Sequence, residues 1–107
     1  MIKVNINKKN NEIDHVSISG HSGYAEKGFD IVCIAVSSIV TTTVNAILSF
    51  KETIKVTDDG KLLEISIKEH DEITDKLIAN MIELLKEIEK EYKDNIRLEE
   101  KLIWSFY

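Results

Sequence analysis

The stretch from Ile31 to Phe50, IVCIAVSSIVTTTVNAILSF, decides the fold, because none of the chain's 14 basic or 19 acidic residues falls within it. Twenty uncharged residues are enough to cross a bilayer. Yet Ser37, Ser38, Thr41, Thr42, Thr43, Asn45 and Ser49 are polar, and no basic cluster flanks the segment. The pattern therefore predicts a helix from about Ile31 to Leu48 that is buried on most sides, inside the fold or against a second copy, and not a membrane span. Its β-branched residues are poor helix formers, which leaves a strand open for part of it. The absence of turn residues favours the helix, and Asp30 directly before it is a natural N-cap.

Outward from this segment the elements are short and well marked. Ile2, Val4 and Ile6 alternate with polar residues, and so do Val16 and Ile18, with Asn10-Asn11 as the turn between two strands. A loop, Gly20–Phe29, leads into the helix. After the helix, residues 53–57 and 62–68 flank Asp59-Gly60, a strong hairpin signal. Asp71 is placed to cap a second helix, where Ile73, Leu77, Ile78, Met81, Leu85, Ile88 and Tyr92 recur at helical spacing. Glu72/Lys76 and Glu89/Lys93 mark its solvated face. Residues 96–103 read as a last strand. The order is ββαββαβ: one α/β domain over residues 1–107, with a mixed or antiparallel sheet packed against two helices.

Composition narrows the function. A chain of 107 residues, 43% apolar and 31% charged, forms one ordinary globular domain. A net charge of −5 argues against a general nucleic-acid binder. One cysteine excludes an internal disulfide framework, and the absence of proline excludes any device built on a cis-proline. The N-terminus lacks the layout of a secretion signal, so the cytoplasm is the expected compartment.

The chemistry concentrates in Gly20-His21-Ser22-Gly23-Tyr24-Ala25-Glu26-Lys27-Gly28-Phe29-Asp30-Ile31-Val32-Cys33. Three of the four glycines, Gly20, Gly23 and Gly28, cluster there, where backbone freedom or close approach is needed. The lone cysteine is expected in the first turn of the helix, whose positive end favours a thiolate. His21 can take the thiol proton and hand it to a leaving amine, and helix-end N–H groups can hold an oxyanion. Each residue also has a plainer reading: Cys33 as a small core residue, His21 as a solvated loop histidine, Asp30 as a cap. Gly20-His21-Ser22-Gly23 matches the Gly-x-x-Gly of KH-type RNA binders, but a strand precedes it and the chain is acidic. A Walker loop would need Gly-Lys-Ser/Thr, and Lys27-Gly28-Phe29 stands instead. His15, His21, His70 and Cys33 lack metal-ligand spacing, so neither a metal nor another cofactor is expected.

The motif Gly20-His21-x-Gly23-x-x-x-x-Gly28-x-Asp30-Ile31-Val32-Cys33-x-Ala35-x-Ser37 resembles the signature of the bacterial ribosomal-processing cysteine proteases, the Prp family. Val44-Asn45-Ala46-Ile47 and Ile88-Glu89-x-Glu91-Tyr92 extend the likeness to about Glu99. Residues 100–107 form a tail past the usual family end, and Ile34 stands where a small residue is more common. The resemblance implies a homodimeric endopeptidase that removes the N-terminal extension of the twenty-seventh large-subunit ribosomal protein, cutting after an aromatic pair. It implies His21 as general base and Cys33 as nucleophile, with Asp30, Ser37, Gly20, Gly23 and Gly28 in support. The non-enzymatic alternative is a ribosome-assembly interaction protein with a redox-sensitive thiol.

Overall fold

Alternation along the first two strands places one row of side chains inward. In the computed structural model, which describes residues 1–20 and 29–103 apart from the side chains of residues 29, 30 and 103, that row is fully buried. Ile2, Val4 and Ile6 of β1 (Ile2–Lys9) and Val16 and Ile18 of β2 (Glu12–Ser19) are at most 1% exposed. Asn10 and Asn11 join the two strands with φ of 53° and 68°, the left-handed pair that a two-residue hairpin needs and that asparagine tolerates.

A second hairpin joins β3 (Ile54–Asp58) and β4 (Leu62–Ile67). The Asp59 carboxylate accepts hydrogen bonds from the Lys61 and Leu62 N–H groups at 2.9 and 2.8 Å, which holds its pKa below the usual carboxylate value. With β5 (Ile96–Ile103) the sheet order is β3-β4-β2-β1-β5. The β1–β5 pair is parallel and the others antiparallel, so the sheet is mixed. Residues 100–103 complete β5, the last strand read over residues 96–103, and Glu100 sits 3.4 Å from Lys8 and 3.3 Å from Lys86. Residues 104–107 lie outside the described residues. Glu89 accepts from the Leu98 N–H at 2.7 Å, satisfying a donor on the outermost strand.

Two helices cover the inner face of the sheet around a single apolar core. In α2 (Glu72–Glu91), Asp71 is the N-cap and accepts from the Thr74 N–H at 2.8 Å, as read from the sequence. Its stripe buries Ile78, Met81, Ile82 and Leu85, while Ile73, expected in the core, is 42% exposed. The Thr74 hydroxyl meets that of Thr53 at 2.6 Å, which satisfies both in the interior.

The other helix, α1 (Phe29–Phe50), departs from expectation twice. Phe29 and Asp30 are already helical, so Asp30 lies within the helix and is not its cap. It also buries only one stripe, Val32, Val36, Val40, Thr43 and Ile47. This single sheet has one inner face to offer, and α2 shares it, so Cys33, Ile39 and Val44 are only half-buried beside the stripe and the opposite side of α1 is left outward. Thr43 donates to the Ile39 carbonyl at 2.8 Å, which is how a threonine is accommodated on the buried stripe.

Candidate functional site

The site is approached from the end of β2. Gly20 has φ +92°, and a Cβ placed there would overlap the Met1 carbonyl and lie 3.2 Å from the Ile2 Cα. Only glycine fits, for both its φ and its closeness to the first strand. Residues 21–28, which carry His21, Gly23 and Gly28, lie outside the described residues. The chain resumes at Phe29, already helical; of Asp30 the backbone alone is described.

Cys33 stands four residues after Phe29, where the described part of α1 begins. It is partly buried and packs against the apolar core. Ser37 lies one turn further along the same side and is exposed.

A cavity of about 260 Å3 opens at this point of the helix. Its floor is Ile18, Val36 and Val40, each at most 3% exposed, with half-buried Leu63 beside them. Ser37, Thr41, Asp58 and Gly60 form an exposed rim. Gly60 donates to the Asp58 carboxylate at 2.9 Å and has φ +86°, which fixes the shape of that rim. The sequence marked Asp59-Gly60 as a turn only. That the hairpin reaches α1 follows from the Ile18–Leu63 pairing of β2 with β4, which leaves no signal in the local pattern.

The other histidines are elsewhere. His15 Nε2 lies 3.3 Å from Glu64. His70 Nδ1 lies 2.7 Å from Asp75 and 3.1 Å from Glu12, and Nε2 lies 3.9 Å from Asp14. The Asp75 hydrogen bond, opposed by partial burial and supported by all three carboxylates, raises the His70 pKa above its usual value. Glu12, His70 and Asp75 bring ligand-type atoms within 4.8 Å of one another. The group binds the start of β2 to the start of α2 at the molecular surface.

Residues 1–97 match the family model described as Cysteine protease Prp. The ribosomal processing cysteine protease Prp of Bacillus subtilis is 32% identical over 112 residues, covering 96% of this chain and all of that one. Two crystal structures of the essential ribosomal processing protease Prp from Staphylococcus aureus share the fold. The complex with a substrate peptide has a TM-score of 0.84 at 28% identity, and the complex with a covalently linked product peptide has 0.83 at 33%. Each covers 94% of this chain and all of the relative.

Proposed function

The chain belongs to the cysteine protease Prp family, and from that premise we propose that it removes the N-terminal extension of the twenty-seventh large-subunit ribosomal protein, cutting after an aromatic pair. One observation carries the residue assignment. Cys33 is the single cysteine in the sequence, so a cysteine protease built on this chain has no other thiol to use. Membership of a protease family sets aside the non-enzymatic thiol protein.

The Cys33 thiolate attacks the scissile carbonyl carbon, and the carbonyl π electrons move to oxygen. Helix-end N–H groups at the start of α1 are the donors for that oxyanion. His21, having taken the thiol proton, returns it to the leaving amine as the C–N bond breaks, and a thioester remains. Water, deprotonated by His21, then cleaves the thioester and restores the thiol. A relative held with a covalently linked product peptide supports this nucleophilic route. Asp30, Ser37, Gly20, Gly23 and Gly28 support the pair, and neither metal nor cofactor takes part.

The partner surface fits the same reading. Ile31 and Ile34 are 61% and 67% exposed on α1, and Leu48 continues their side of the helix. A second copy covering this strip makes the protein a homodimer. A charge of −5 favours encounter with a basic ribosomal-protein segment in the cytoplasm. The test is incubation of the pure protein with a peptide spanning the extension, followed by mass spectrometry. A single cut after the aromatic pair is expected, and an uncut peptide overturns the proposal.

A further inference from the structure

We infer that the cavity between α1 and the β2–β4 strands is a specificity pocket that takes one large apolar side chain of the substrate, with Leu63 as its selecting wall. The inference rests on the proteolytic reading above and adds to it the residues that choose the substrate.

Position is the first argument. Val36 and Ser37 line the cavity and stand three and four residues after Cys33, on the same side of α1 and about one helical turn away. A peptide whose scissile bond reaches Cys33 therefore carries a neighbouring side chain to this opening.

Lining is the second. The floor, Ile18, Val36 and Val40, is apolar and almost fully buried, while Ser37 and Asp58 at the rim are exposed. An apolar well with a few polar groups at its mouth is the usual build of a ligand site. A second cavity of about 260 Å3 serves as a contrast. Lys8, Glu12 and Asp75 line it together with Ile13, Ile78 and Ala79, and it lies by the Asn10-Asn11 turn, at the opposite end of β1 and β2 from Gly20. Distance removes it from the thiol.

Size is the third. An apolar cavity of about 150 Å3 is enough to bind benzene. A space of about 260 Å3 holds one bulky side chain and excludes a folded partner. Leu63 faces Ile18 across the β2–β4 pair and is half-buried, so its bulk can be changed without touching the floor.

The experiment measures kcat/KM for a set of substrate peptides in which each residue near the cut is replaced in turn by alanine. It uses the full-length protein, Leu63→Trp and Leu63→Ala, with melting temperature and the rate of Cys33 alkylation as controls on folding. On the unaltered protein one peptide position should lose about tenfold or more when truncated to alanine. In Leu63→Trp that penalty should shrink to within about twofold, because the pocket is filled and KM for the parent peptide rises. In Leu63→Ala the preference at the same position should move to a larger side chain, read from a second peptide set in which each residue near the cut is replaced in turn by tryptophan. If the tryptophan variant melts early, the alanine variant decides alone. An unaltered protein that leaves every peptide uncut overturns the proteolytic reading and this inference with it. A protein that cuts, with the same positional profile in all three forms, overturns the pocket alone.

Discussion

The two helices lie on the same face of one sheet and are built on opposite principles. In α2 the exposed surface is charged: Glu72 pairs with Lys76 at 3.1 Å, Glu83 with Lys86 at 3.6 Å, and Asp71 caps the start. Between Ile31 and Phe50, α1 has no charge, and its outer side shows Ile31, Ile34 and Leu48. Both helices anchor the core by a single stripe, so core packing cannot account for the difference. Water is the natural neighbour of the outer face of α2. The outer face of α1 is suited to a second protein surface, and its N-terminal end carries the only thiol.

The largest expected effect breaks the comparison at Cys33. Cys33→Ala should lower peptide cleavage by at least about a thousandfold while the melting temperature stays close to the original, and Cys33→Ser should do nearly the same. Steady-state assays beside circular dichroism check this. His21→Ala comes next, with a loss of about a hundredfold to ten-thousandfold. Its Cys33 should still react with iodoacetamide, and the limb of the pH–rate profile near the histidine range should disappear.

Charging the two outer faces sharpens the contrast in assembly. Ile34→Glu on α1 should halve the mass seen by light scattering. Leu84→Glu on α2, where Leu84 is 38% exposed, should leave it unchanged. The smallest effect concerns the start of α2. His70 has a raised pKa in the folded protein, so its contribution to stability is complete below the unfolded value near 6.5 and is lost as pH rises through the folded value. His70→Gln should flatten that part of the melting-temperature profile, by a few degrees at most because the pairs are exposed.

What the sequence could and could not disclose follows from the range of each signal. Asn10-Asn11 and Asp59-Gly60 are local devices, and both turns stand where they were read. Asp71 and the stripe of α2 are also local, and only Ile73 leaves the core. The start of α1 was misread because Asp30 has the chemistry of a cap, and sequence does not reveal that the chain before it is already helical. The extent of burial around α1 depends on how many layers the domain has, which a charge gap does not encode. Alternation shows which side of a strand is inward but not which strand lies beside it, so neither the β1–β5 pairing nor the reach of Leu63 to α1 was legible. In the candidate site, Cys33 and Ser37 were found by motif, whereas Asp58 and Leu63 come to the helix only through the sheet.

The parallel pairing of β1 with β5 has a consequence for the timing of folding. Ile2 meets Ile96 and Lys9 meets Ile103, so β1 waits for β5. At about 5–20 residues per second, the interval between their synthesis is roughly five to twenty seconds. During it the β1–β2 hairpin can form, but one edge of β1 stays open, with backbone groups ready to pair with any extended chain nearby. Pairings this distant in sequence are also the slow ones to close. The nascent protein thus passes through a sticky interval, and arrival of β5 brings that interval to an end.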